Sequence, residues 1–197
     1  MGPFDLLNSE LPKSADITRG ACISDDGKYR YWLKRQWGNG PSLVFIMLNP
    51  STADAMKDDQ TIRRCMYFAK REGYSGITVL NLYAWRATNP KDLLDQMAKG
   101  VDVVGPQNLQ WVRDLTKDEK KVVLAWGGIH PDKHWAAMSA VFDVLPRDMV
   151  YLCLGETETL DPRHPSRLGN NVEFEDYLPS VRVLPKDSAA YKRITGK

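Results

Sequence analysis

The stretch that decides the reading of this chain is SLVFIMLNPSTADAMKDD, from Ser42 to Asp59. Its first part, Leu43 to Leu48, is apolar and partly β-branched, and it breaks abruptly into Asn49-Pro50-Ser51-Thr52. A short run ended by a proline, which bars helix from the residue before it, reads as a buried strand. Asn49 then stands at the carboxyl end of a central strand, where open α/β sheets place their ligands. A polar amide at a strand mouth, followed by a rigid turn and a Ser/Thr/Asp loop, has the pattern of an active-site loop. A plain strand-to-helix turn capped by Ser51 or Thr52 fits the same residues.

Outward from this stretch, strand and helix patterns alternate. Upstream, ACISDDGKYRYWLKRQWGNG (21–40) reads as a hairpin turning at Asp26-Gly27, with Tyr29, Tyr31 and Leu33 as half-buried edge-strand residues. Downstream, Ile62, Cys65, Met66 and Ala69 recur at helical spacing, and Gly73 stops the helix. Gly76 to Leu82 reads as a second buried strand with Asn81 near its end. A short helix capped by Asn89 with Pro90 at its first position follows, then another over Gly105 to Leu115. Val122 to Trp126 is a third strand, ended by Gly127-Gly128. His130 to Leu145 is a helix presenting Trp135, Met138, Val141 and Phe142 on one face. Val150 to Leu154 is a fourth strand, running into the polar loop 155–169, and the tail from Val172 carries a last short element. The alternation predicts one α/β domain over residues 1–197, with helices on both faces of a central parallel-rich sheet. Residues 1–20 form an N-terminal arm, and 43–169 the core that bears the motifs.

Composition narrows the function classes. Hydrophobic content of 43% and charged content of 26% are those of a globular domain able to bury its own core. A net charge of +2 does not by itself demand a nucleic-acid partner. Cys22, Cys65 and Cys153 are too few and too scattered for a CxxC site or a four-thiolate cluster, and they read as reduced thiols. The N-terminus shows neither a basic region nor a long apolar core, so the expectation is a cytoplasmic protein without signal peptide or membrane span. His130 and His134 are spaced as two metal ligands on a helix would be. Pro131 between them and the lack of a third ligand favour a helix start instead, so no metal and no cofactor is expected.

In a parallel sheet the strand ends Asn49-Pro50, Asn81, Gly127-Gly128 and the His164-Pro165-Ser166 loop fall on one edge and converge on one cleft. These segments carry a resemblance. IMLNPST (46–52) resembles the first motif of the uracil-DNA glycosylase superfamily, most like its mismatch-specific branch. ITVLNLYAWRAT (77–88) is similar to the second core strand, whose terminal Asn reads the base edge. VVLAWGG (122–128) is similar to the third strand, and RHPSRLG (163–169) resembles the His-Pro-Ser loop that closes the active site. The pattern LNPSTAD, NLYAWRAT and PRHP also resembles a bacterial and phage domain family whose name assigns no function. The chain departs from the superfamily in three places. Asn49 stands where the strongest uracil glycosylases carry an Asp, only Tyr67 or Phe68 supplies an aromatic after the loop, and Arg167-Leu168 occupies the wedge region.

The resemblance implies a uracil-DNA-glycosylase-like three-layer α/β/α fold and a monofunctional DNA glycosylase that flips out and hydrolyses a modified or damaged base. Handling of modified phage bases, in repair or antiphage defence, is the implied setting. His164 would donate to the leaving base, and Asn49 would orient water, with Asp54, Asp58 or Asp59 as base. Asn81 would read the base edge, and Tyr67, Phe68 or Tyr83 would stack on it. Pro50, Ser51 and Ser166 would complete the substrate site, and Arg86, Arg163 and Arg167 would contact backbone phosphates. No strand-end lysine matches a Schiff-base role, so no strand cleavage is expected. DNA is the expected partner, bound by a monomer. Each residue also has a plainer role: Asp58-Asp59 as a helix cap, Asn81 bonding backbone, His164 as a turn residue. Two other functions fit the same motifs, a non-catalytic nucleic-acid or nucleotide-binding module and a hydrolase of free nucleotides.

Overall fold

The computed structural model describes residues 17–51, 56–128 and 131–179. The N-terminal arm up to residue 16, the loop residues Thr52 and Asp54, His130 and the chain beyond residue 179 lie outside them. Within the described residues the hairpin is present as β1 (Thr18–Ile23) and β2 (Arg30–Gln36). It turns where Gly27 takes a φ of 71°, which a glycine adopts without a Cβ penalty. Then come β3 (Ser42–Met47), α1 (Gln60–Arg71), β4 (Gly76–Asn81), α2 (Pro90–Ala98) and α3 (Asn108–Thr116). The chain continues through β5 (Lys121–Leu124), α4 (Pro131–Val144), β6 (Val150–Cys153), a 3₁₀ turn (Pro165–Arg167) and β7 (Glu175–Asp176).

One mixed sheet holds these strands in the order β1-β2-β4-β3-β5-β6-β7. Its centre, β4-β3-β5-β6, is parallel, and the hairpin and β7 add antiparallel edges. β2 is therefore an interior strand, not the expected edge, and Tyr31 and Leu33 are buried rather than half-buried. β3 lies between β4 and β5, so the chain leaves it first to one side and then to the other. The crevice at such a reversal point is where this class of sheet takes ligands.

The period of two in each strand sorts side chains onto two faces. Leu43, Phe45 and Met47 join Ile77, Val79 and Val123 in the cluster under α1, with Ile62, Cys65, Met66 and Ala69. Val44, Ile46, Leu80, Val122 and Leu124 face the other way. They meet Leu93 of α2, Val112 of α3 and Met138, Val141 and Phe142 of α4. Helices thus cover both faces. Trp135, expected on the buried face of α4, is 44% exposed, while its neighbour His134 is buried. The buried stripe runs through His134, Ala137, Met138, Val141 and Phe142, a helical spacing that leaves Trp135 outside it. No helix among the described residues is long and apolar enough to cross a membrane.

Candidate functional site

A cleft of about 680 Å³ opens at the carboxyl edge of the parallel strands. That is inside the range of roughly 300–1,000 Å³ typical of small-molecule sites. Asn49 and Ser51 after β3, Asn81 at the end of β4, Trp126 to Gly128 after β5, and His164, Ser166 and Arg167 after β6 all line it. Asp59 and Ile62 at the start of α1 close one side, and Leu93 and Leu94 of α2 the other. All four strand-end segments that the sequence sets apart therefore meet in one place.

Asn49 is held by its own amide. Nδ2 donates to the carbonyls of Ala87 (2.8 Å) and Pro50 (3.1 Å), so the nitrogen end is spent on backbone. What remains to interact is Oδ1, an acceptor only. Asp59 is the N-cap of α1: one carboxylate oxygen accepts from the backbone N–H of Ile62 at 2.8 Å. The other accepts from the Ser51 hydroxyl at 2.5 Å. The expected capping role of Asp59 is thus present, and the same carboxylate lines the cleft. Asp58 points elsewhere. Its carboxylate meets the buried Arg35 at 2.6 Å and Arg19 at 3.5 Å, tying the loop to β1 and β2. Asp58 is not among the cleft residues, so it is not positioned as the base.

His164 precedes the 3₁₀ turn and caps it. The backbone N–H of Ser166 donates to its Nδ1 (3.3 Å), and the Ser166 hydroxyl lies 2.9 Å from the same atom. A nitrogen that accepts carries no proton, so the neutral ring is the Nε2–H tautomer. Burial holds its pKa below the usual histidine value. The nearby Asp59 carboxylate acts in the opposite sense, and Arg167 adds to the lowering. Gly127, at a φ of 83°, lets this loop approach: a Cβ there would stand 3.2 Å from that of His164, and its N–H donates to Pro162 at 2.9 Å.

Asn81 differs from Asn49. It is 1% exposed, lines the cleft, and its Nδ2 has no hydrogen-bond partner among the described residues. Its backbone, by contrast, is secured: Asn108, buried at the start of α3, donates from Nδ2 to the carbonyls of Asn81 (3.1 Å) and Leu82 (3.2 Å). An unpartnered buried amide is uncommon, and one that lines a cleft has a ligand as its natural partner.

Several expected site residues are elsewhere. Phe68 is fully buried against Phe174, and Tyr67 lies beside it on α1, away from the cleft. Tyr83 is 2% exposed in the core on the α4 side, its hydroxyl 2.9 Å from His134 Nδ1, and burial pushes its pKa up to about 12. None of these three is placed to stack on a ligand in the cleft. Of the arginines, Arg167 is exposed and lines it. Arg86 donates to Gly27 O of the hairpin (3.1 Å) and Arg163 to Glu156 O (2.8 Å), and neither lines the cleft. Pro50 is buried and lends its carbonyl to Asn49 and to the N–H of Ala87. Ser51 and Ser166 serve as the partners of Asp59 and His164.

Cleft residues outside the expected site include Arg30, 3% exposed on β2, Thr61, Thr88, Trp126 and the buried His134 of α4. Arg30 sat in a hairpin read as an edge, where a charged residue faces water, and only the interior placement of β2 brings it here. Trp126 was legible as part of a strand-end motif but not as a cleft residue. Among the described residues no group of three His, Cys, Asp or Glu side chains is placed to hold a metal ion.

Comparison with known proteins adds a family but no activity. No curated protein matches the chain. Residues 30–166, which include every cleft residue except Arg167, match the profile described as protein of unknown function (DUF1643). The chain belongs to the DUF1643 family.

Proposed function

We propose that this protein is a monofunctional DNA glycosylase that hydrolyses the N-glycosidic bond of a flipped, modified or damaged base. The observation that carries the reading is the pairing, in one cleft, of a neutral Nε2–H histidine with a carboxylate and an acceptor amide oxygen. Cleavage of a base–sugar bond builds positive charge on the sugar and negative charge on the departing base. His164 Nε2–H would donate to that base as it takes the bonding electron pair. In a site shielded from water, one such donor is worth about 10²–10³ in kcat. Water held by Asn49 Oδ1 would attack the anomeric carbon and pass its proton to Asp59. Asn81 offers a donor and an acceptor to the polar edge of the base, which would satisfy its amide.

The test is an excision assay on duplex and single-stranded DNA carrying uracil, mismatches, and hydroxymethylated or glucosylated cytosine, with alkali revealing abasic sites. The expected outcome is excision of one modified base by wild type and none by Asn49→Ala or His164→Ala at wild-type melting temperature. If both variants excise normally, the site assignment is wrong. Binding without any product would leave the fold with a nucleic-acid-binding role instead.

A further inference from the structure

Arg64 stands on α1 among other cations, Arg63, Lys70 and Arg71. Its place in the fold is different. Arg64 is 5% exposed, and its guanidinium lies over the rings of Tyr67 (5.0 Å) and Phe68 (4.6 Å). From there Nη1 donates to Asn170 Oδ1 at 2.6 Å, and Nη2 donates to the carbonyls of Leu168 (2.8 Å) and Gly169 (3.2 Å). Gln60, one turn earlier on α1, donates to Ser166 O at 3.3 Å. Arg71, nearly two turns later, donates to the carbonyls of Asn170 and Val172. One helix therefore grips the backbone on the far side of the 3₁₀ turn whose Ser166 fixes His164 Nδ1. The same helix begins at Asp59, whose carboxylate acts on the His164 ring.

We propose that Arg64 is a positioning residue: by pinning residues 168–170 to α1 it holds the Ser166 turn in register, and so presents His164 Nε2–H to the cleft. Three partners of this loop are neutral carbonyls, which a guanidinium fork reaches in parallel and a lysine ammonium reaches as a point donor. The inference rests on His164 being the donor for its relevance to catalysis, but the arrangement itself is testable without any substrate.

The experiment is long-range proton–nitrogen NMR of the three histidines in uniformly labelled full-length protein, with His164→Gln to assign the ring. The charged groups facing that ring are Asp59 from α1 and Arg167 from its own turn, and neither is substituted in any variant used. In wild type, His164 should show one neutral Nε2–H tautomer and titrate below the ordinary histidine range. In Arg64→Gln the tautomers should mix and the midpoint rise toward about 6.5, with His134 unmoved. Arg64→Lys should restore part of the wild-type pattern. Gln60→Ala, which removes an exposed side chain and leaves the core intact, should produce a smaller shift of the same sign and serves if Arg64→Gln does not fold. An unchanged His164 ring in a folded Arg64→Gln, or in Gln60→Ala where Arg64→Gln does not fold, overturns the proposal. Where an excised base has been identified, Arg64→Gln should lower kcat about tenfold with KM within twofold. A rise in KM and a weaker salt dependence at constant kcat would instead make Arg64 a phosphate contact and also overturn it. If wild type excises nothing, the proposed function fails while the NMR result still decides the role of Arg64.

Discussion

Asn49 and Asn81 end neighbouring strands of one sheet, yet the fold treats them in opposite ways. The Asn49 amide is committed to two backbone carbonyls, whereas the Asn81 amide nitrogen is buried with no partner among the described residues. A committed amide contributes to stability and fixes geometry. A buried unmet one costs about 1–3 kcal/mol, and such a cost persists where binding a ligand removes it. The two sides of the cleft divide along this line. The loop into α1 is stitched down through Asn49, Ser51, Asp58 and Asp59, while Asn81 and His164 line the cleft without such ties to that loop.

The contrast can be broken most forcefully at Asp58. Removing its carboxylate in Asp58→Ala leaves Arg35 buried without its acidic partner, and a loss of about 3–5 kcal/mol is expected from urea unfolding. A loss under 1 kcal/mol would mean that the loop is not anchored through this pair. Next in size is His164→Gln, which should reduce kcat about 100–1,000-fold while leaving the urea midpoint unchanged. The asparagine pair itself gives the sharpest comparison. Asn49→Leu takes the amide donor from the carbonyl of Ala87, while that of Pro50 keeps the N–H of Ala87, and should destabilise by about 1–3 kcal/mol. Asn81→Leu removes an unsatisfied group, so its melting temperature should equal or exceed that of wild type, although ligand binding is lost. Equal destabilisation by both would erase the distinction.

The smallest effect concerns pH. The folded state holds His164 below its unfolded value, so between the two values the unfolded chain binds more protons. The contribution is complete above about pH 6.5 and is lost as pH falls from there through the folded value. Wild type should therefore lose stability relative to His164→Gln on acidification across this window, with the two alike above it. If the difference is flat with pH, folding does not lower the pKa of His164.

The strand-helix order was legible because each element carries its own period and its own stop: Pro50, the Asp59 cap, Gly73, the Asn89 cap. The convergence of Asn49, Asn81, Gly127 and His164 was legible too, because parallel strands put their carboxyl ends on one edge. What a helix residue faces was not. Tyr67 and Phe68 follow the loop after β3 in sequence, but burial of the Ile62, Cys65 and Met66 face of α1 seats Phe68 against Phe174 and leaves Tyr67 beside it, away from the cleft. Trp135 shares apolar character with Met138, but it stands one step of about 100° from His134, outside the buried stripe to which His134 and Met138 belong. Arg64 and Arg30 carry charges that read as solvent-facing until the loop 168–170 and an interior β2 are in place around them.

The position of β3 between β4 and β5 has a mechanical consequence. Asn81, Asn49 and Gly127 hang from three adjacent hydrogen-bonded strands, whose spacing is set by the backbone at about 4.8 Å each. The floor of the cleft is thus a rigid ruler roughly 10 Å across, and it cannot widen without breaking the parallel ladder. Any ligand must fit that gauge as it arrives, and adjustment falls to the walls around it, among them the loop after β6, which side chains of α1 hold in place.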